Sequence, residues 1–333
     1  MRVVIADPPA FTPPYDHELA TALAQAGADV QLVTSRFRFG DVAAQDGYRR
    51  RELFYPLSSR LFGRSPLRLP LKVLEHPLGM ARLAAARADV VHVQWLGLPE
   101  ADAWLLRNRA PLVLTAHDLL PRRTARKEDL WRRLFGRFDR IVVHSERGRE
   151  TLAAFGVPGA KLRVIPHPVT PGDVSRSDTG RTVLALGLVR PYKQLEQARD
   201  AVSRVDGAEL RVAGGVDTFL PEAEIEQALA ESTVAVFPYR AELDQSGALL
   251  RALGAGVPAV VYDVGGLAEP VRAYGAGRVV APDDVSGLAA AIRELLDDGD
   301  ALAQARAGAL RAREELTWEA SARAHLELYR ELA

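Results

Sequence analysis

Residues 183–199, VLALGLVRPYKQLEQAR, run from an apolar stretch through Gly187 to a proline that opens a helix, with Arg190 and Lys193 in between. Strand, turn and helix in that order form the repeating unit of a parallel α/β sheet. The two cations sit where a helix N-terminus disfavours them, at roughly 0.3 to 1 kcal/mol each, and where a phosphate is favoured. The segment therefore reads as half of a diphosphate site. Two solvated loop cations explain the same residues equally well when the segment stands alone.

Working outward, the same alternation recurs along the chain. Before it come RVVIA (2–6), ADVQLVT (28–34), ADVVHVQW (88–95), PLVLTAH (111–117), RIVVHS (140–145) and LRVIPHPV (162–169); after it come AELRVAG (208–214), STVAVFPY (232–239), PAVVYDV (258–264) and GRVVAP (277–282). Continuous apolar runs separated by helical stretches predict parallel strands covered on both faces. Between the two series, TPGDVSRSDTG (170–180) is rich in turn formers and reads as a linker. The prediction is two doubly wound α/β domains facing each other across a cleft: residues 1–170, residues 171–315, and a closing helix over 316–333 that packs back toward the first domain.

A length of 333 residues suits two domains. Hydrophobic content of 48% with 26% charged residues and no cysteine describes a globular protein without disulfides or thiolate metal sites. Met1 runs directly into the first strand pattern, no signal peptide or membrane span is recognisable, and a cytoplasmic location is expected. The zero net charge hides an asymmetry: residues 1–170 hold 26 Lys plus Arg against 17 Asp plus Glu, and the remainder holds 17 against 26. The loop after the first strand, DPPAFTPPYDHE, has four prolines and no glycine, and no Walker A sequence occurs. Dinucleotide and P-loop chemistry are not indicated.

In FPYRAELDQSGALLRALGAGVPAVVYDVGGLAE (237–269) a helix is predicted to start near Ser246 with Gly247 behind it. That pair presents bare backbone amides to an anion or to sugar hydroxyls. Leu249, Leu250 and Leu253 form the buried stripe, which turns Arg251 to the face shared with Gly247, toward the cleft, as a donor-binding candidate. A solvated arginine is the equal alternative.

With HSERGRETLAAFGVPGAKLRVIPHPV (144–169), LGLVRPYKQ (186–194), the 237–269 segment and LTWEASARAHLELYREL (316–332), the chain resembles the family-4 retaining glycosyltransferases of GT-B fold. The resemblance implies transfer of a sugar from a nucleotide-diphosphate sugar, a co-substrate rather than a cofactor, to a glycan, lipid-linked or small-molecule acceptor, with no metal. On the donor side it implies that Arg190 and Lys193 hold the diphosphate, that Gly187, Gln245, Ser246 and Gly247 border the donor, and that Glu269 lies near the nucleotide. His117, at the end of the 111–117 run, matches a histidine beside the transferred sugar and is the third catalytic candidate.

The chain departs from the family where two glutamates are frequent. Leu243 and Arg251 stand there, Arg251 lacks an acceptor for the ribose, and Gln194 replaces a frequent glycine. The stretch 213–235 also looks too short for the usual additional strand and helix. Tyr15, Asp16, His17 and Trp95 are the acceptor-side candidates, although Asp16 reads equally well as the N-cap of a helix over 19–27. His92, His144 and His167 are read as structural. The basic, leucine-rich stretch 47–76 suits an anionic membrane surface, and hence a peripheral contact with the inner face of the membrane, or a lipid-diphosphate acceptor; a solvated loop explains the same charges equally. Nucleic-acid binding is not expected, because no nucleic-acid module accompanies the charge. A non-catalytic partner of another glycosyltransferase and a sugar-nucleotide epimerase remain the alternatives.

Overall fold

The apolar runs become strands because each is buried on both faces, as in Val90–Val93, where all four residues are buried. The structure, a computed structural model, describes residues 1–38, 40–61, 65–120, 126–215, 220–240 and 245–333. The described residues divide into two units: unit 1 is residues 1–165 with 318–333, and unit 2 is residues 166–317.

In unit 1 the chain runs β1 (Arg2–Asp7), α1 (Pro13–Gln25), β2 (Asp29–Ser35), β3 (Arg49–Phe54), α2 (Arg68–Ala84), β4 (Val90–Val93), α3 (Pro99–Leu105), β5 (Leu112–Thr115), α4 (Glu128–Arg137), β6 (Arg140–Val143), α5 (Glu146–Phe155) and β7 (Leu162–Val164). The sheet order is β3-β2-β1-β4-β5-β6-β7, every pairing parallel. Strand β1 therefore pairs on one side with β2 and on the other with β4, through Val3↔Val30 and Val3↔Val90. The order reverses between β1 and β4, and a crevice opens at such a point.

Unit 2 repeats the plan: β8 (Thr182–Leu186), α6 (Leu195–Ser203), β9 (Glu209–Ala213), α7 (Glu222–Ala230), β10 (Val234–Phe237), α8 (Gly247–Gly254), β11 (Ala259–Tyr262), α9 (Ala268–Tyr274), β12 (Gly277–Val280), α10 (Val285–Asp297) and α11 (Gly299–Glu315). Its parallel order is β12-β11-β10-β8-β9, reversing between β8 and β10. The last helix, α12 (Trp318–Arg330), belongs to unit 1 and packs on α1, where Trp318, Leu326 and Tyr329 share a core with Tyr15, Leu19 and Leu23.

Several local expectations change. Residues 49–54, within the basic stretch read as a membrane surface or solvated loop, form an edge strand; charge on an edge strand blocks pairing with other chains, and Arg49 there reaches Asp29 at 2.7 Å. Its alternation of apolar residues is too weak to announce a strand. Asp16 is not an N-cap: α1 starts earlier, after Thr12, with Pro13 and Pro14 in its first turn. Pro191 opens a 3₁₀ turn (Pro191–Lys193), and the α-helix begins only at Leu195. Residues 170–180 contain no helix or strand but are bonded into unit 2, where Asp178 accepts from Arg176, Thr233 and Arg306. Leu243, Phe62 and Arg64 lie outside the described residues.

Candidate functional site

Unit 2 carries its recess at the carboxyl ends of β8 and β10, the point where the strand order reverses. It is lined by Gly187, Val189, Lys193, Pro238 and Tyr239 among others. Gly187 follows β8 at φ +90°, a conformation that favours glycine. A Cβ there would meet the Lys193 ammonium at 2.8 Å and the Ala248 side chain at 3.5 Å. The missing side chain thus lets the lysine and the first turn of α8 converge on the same loop.

Lys193 donates to the Leu186 carbonyl at 3.1 Å, and its ammonium lies 5.2 Å from the centre of the Tyr239 ring. Burial, aided by the charge of Arg190, pushes its pKa down to about 8. The next residue, Gln194, takes the left-handed conformation at φ +47°, which explains why a glycine suits this position. Its amide donates to Asp283 at 2.8 Å, a bond that offsets part of the backbone cost.

The α8 end of the recess is capped by Ser246, whose hydroxyl accepts from the Leu249 amide at 3.3 Å. Gln245 donates to the Gly266 carbonyl at 3.1 Å, and the Glu269 amide donates to the same carbonyl at 3.2 Å. Gln245, Glu269 and the glycine pair before α9 are therefore neighbours. Gly247 is exposed, and Arg251 lies one turn below it on α8. Arg251 forms an ion pair with Glu222, the first residue of α7. Sequence reasoning missed Glu222, because a lone glutamate at a helix start carries no signal of what it pairs with. It also missed Tyr239, although an aromatic residue directly after a buried strand was visible in FPY.

Unit 1 gathers Gln94, Trp95, His117 and His144 at the carboxyl ends of β4, β5 and β6. His117 stacks on Trp95 with ring centres 5.2 Å apart and meets the edge of Tyr15 at 4.7 Å. Its Nε2–H donates to the Gln94 side-chain oxygen at 2.9 Å. The Gln94 amide nitrogen faces His92 Nε2 at 3.4 Å, and His92 also bonds Thr115 at 2.7 Å and Tyr329 at 2.6 Å. Burial, with His325 and His144 nearby, holds His92 well below the usual histidine range. A neutral His92 that receives the Gln94 N–H leaves the glutamine oxygen for His117 and so selects the Nε2–H form of that ring.

The acceptor-side candidates separate. Trp95 is half-buried, its Nε1–H donates to the Thr12 hydroxyl at 2.8 Å, and it meets the exposed Phe11 edge-on at 5.3 Å. His17 is also half-buried and bonds Tyr48 at 3.0 Å. Tyr15 and Asp16 are buried. Asp16 faces Asp7 inside the unit, and burial followed by the Asp7 charge holds its carboxyl well above the usual range. Asp7 accepts from the Phe11 and Thr12 amides at 2.7 and 3.2 Å, which leaves Asp16 as the partner that carries the proton. Through those two amides Asp7 holds the proline-rich loop. His144 and His167 bond the carbonyls of Ile165 and Pro168.

The comparisons agree with this architecture. A family model described as Glycosyltransferase Family 4 matches residues 15–172, and one described as Glycosyl transferases group 1 matches residues 180–298. No curated protein matches the sequence. Among solved structures, the chain is similar to sucrose-phosphate synthase from Thermosynechococcus elongatus (20% identity, TM-score 0.75, covering 100% of this chain and 99% of that one). It is also similar to Anabaena HepE in complex with UDP-glucose (15%, TM-score 0.74, 100% of both chains) and to a glycosyltransferase from Rickettsia africae (12%, TM-score 0.69, 99% and 98%). At these identities the structural likeness establishes the fold. Taken with the two family models, which between them span most of both units, it places the chain in the family-4, group-1 glycosyltransferases of GT-B fold.

Proposed function

We propose that the chain is a retaining, metal-independent glycosyltransferase that moves a sugar from a nucleoside-diphosphate sugar to a glycan, lipid-linked or small-molecule acceptor. The observation that carries this reading is Lys193, a lysine held partly out of water at the sheet's switch point beside Gly187 and the start of α8. Such a cation is costly without an anion and is strengthened by the same burial when one binds.

In the proposed reaction the bond from the anomeric carbon to the phosphate oxygen breaks, and the diphosphate leaves with the electron pair. Arg190 and Lys193 stabilise that growing charge, with the first amides of α8 behind Ser246. The acceptor hydroxyl bonds the anomeric carbon on the face the phosphate leaves, and its proton passes to the departing phosphate oxygen. That arrangement needs no protein carboxylate as nucleophile or base. His117 bonds a hydroxyl of the transferred sugar. Glu269 borders the nucleotide, and Glu222, held by Arg251, supplies the ribose acceptor that position 251 itself lacks. His17 and Trp95 are the accessible acceptor contacts. Tyr15 buttresses His117 from the core. The enzyme is proposed to act in the cytoplasm, with unit 1 in peripheral contact with a membrane surface.

The test is calorimetric titration of the folded chain with a panel of nucleoside diphosphates, beginning with UDP because HepE is described in complex with UDP-glucose. At least one is expected to bind. If none does, the non-catalytic reading replaces this one.

A further inference from the structure

Buried polar side chains connect the last helix to the strand ends that carry His117. Tyr329, near the end of α12, places its hydroxyl 2.6 Å from His92 Nδ1. His92 Nε2 lies 2.7 Å from the Thr115 hydroxyl and 3.4 Å from the Gln94 amide nitrogen, and Gln94 turns its oxygen to His117 Nε2 at 2.9 Å. Tyr329 and His92 are 0% exposed, Gln94 and Thr115 1%. None of these four can exchange a lost bond for one to bulk water, so each constrains its neighbours.

The middle of this chain of bonds carries no charge. Burial, with His325 and His144 beside it, holds His92 well below the usual histidine range, and burial also pushes His325, whose ring centre is 5.3 Å from that of His92, down to about 4. Burial and then the nearby Tyr15 push the Tyr329 hydroxyl well up, so it keeps its proton. A neutral imidazole has one N–H, and a primary amide has one donor end and one acceptor end. Orientation at one end is therefore passed along to the other.

Two arrangements satisfy the chain. In the first, His92 Nδ1–H donates to the Tyr329 oxygen, His92 Nε2 accepts from Thr115 and Gln94, and the Gln94 oxygen accepts from His117 Nε2–H. In the second, Tyr329 donates to His92 Nδ1, His92 Nε2–H donates to Thr115, Gln94 is turned over, and His117 carries its proton on Nδ1. The Gln94 amide, with its nitrogen toward His92 and its oxygen toward His117, selects the first.

We propose that Tyr329 is a positioning residue for His117: by accepting from His92 Nδ1–H, its oxygen keeps His92 Nε2 an acceptor, Gln94 in its present direction and His117 in the Nε2–H form. This rests on the reading of His117 as the contact to the transferred sugar, and it deepens that reading. In the Nε2–H form the other ring nitrogen can only accept, so the sugar hydroxyl that meets it must donate. Thr115 serves either arrangement, since its hydroxyl rotates to donate or accept. Removing the Tyr329 oxygen leaves the His92 N–H buried without an acceptor, and an orphaned donor costs more than an orphaned lone pair, so the chain reverses.

Nitrogen NMR of the full chain with isotope-labelled histidine reads which nitrogen of each ring is protonated, and tests this in wild type and in Tyr329→Phe, with the melting temperature of both recorded. Wild type is expected to carry the proton on Nδ1 of His92 and on Nε2 of His117, and the variant to move both, to Nε2 of His92 and Nδ1 of His117. A purely structural tyrosine would lower the melting temperature and leave the His117 tautomer alone. His92 protonated on Nε2 in wild type overturns the proposal without any variant. An unchanged His117 in folded Tyr329→Phe overturns it as well. The second variant, Gln94→Leu, cuts the chain between the two rings: His92 should keep its Nδ1–H while His117 is no longer held to one tautomer, and a His117 still fixed as Nε2–H there also counts against it. All of these readouts are taken without donor or acceptor, so a failure here and a failure of the donor reading are told apart.

Discussion

At Lys193 two effects act in the same direction. Burial and the neighbouring Arg190 charge both favour the neutral amine, which brings its pKa to about 8. A bound diphosphate reverses the balance, because an anion at contact distance favours the charged form. The free protein therefore loses its binding-competent lysine as pH rises through about 8, while the complex holds the proton to higher pH. UDP affinity is expected to be flat below that pH and to fall above it, with proton uptake on binding near pH 8. Calorimetry in two buffers of different ionisation enthalpy reads this directly, and an affinity unchanged from pH 7 to pH 9 would remove Lys193 from the phosphate. Nothing in the sequence reveals this lowered pKa, since it depends on Gly187 and Tyr239 closing around the amine. His117 is similar: its position after a strand is visible in LVLTAH, but its protonated nitrogen is set by Gln94, two residues beyond His92, and that bond exists only once β4 and β5 pair.

At the scale of elements, the proposed ribose contact joins α8 to α7. Arg251 on α8 pairs with Glu222 on α7, which returns a carboxylate to the neighbourhood of a position that lost one. If that carboxylate meets the ribose, wild type binds UDP more tightly than 2′,3′-dideoxy-UDP, and E222Q abolishes the preference. A preference that survives in E222Q would leave the ion pair a purely structural one.

The strands with continuous apolar runs were legible, because burial on both faces removes every ambiguity of pattern. Strand β3 was not, since an edge strand rich in arginine looks like a loop. Helix α2 was obscured in the same way: its two apolar sides and Pro77 blur the period that a half-buried helix would show. The start of α6 was misplaced because Pro191 suits the first turn of an α-helix and a 3₁₀ turn equally. Residue 194 then separates the two, in a left-handed conformation that no propensity announces for glutamine.

At the scale of the molecule, each unit is a parallel sheet that reverses its strand order once, and in each the unusual side chains collect at the carboxyl ends of strands near that reversal. Unit 2 gathers Gly187, Lys193, Tyr239 and the start of α8; unit 1 gathers Gln94, Trp95, His117 and the loop after Asp7. The central claim, however, concerns unit 2: that its recess is a donor-diphosphate site in which Lys193 is the principal cation. The most direct measurement is the calorimetric affinity of UDP for wild type and for Lys193→Ala at pH 7, with the melting temperature of both recorded. The account predicts a loss of about 1 to 3 kcal/mol in the variant, the range for hydrogen bonds to charged groups, with the fold retained. An affinity equal to wild type in a folded variant would contradict it.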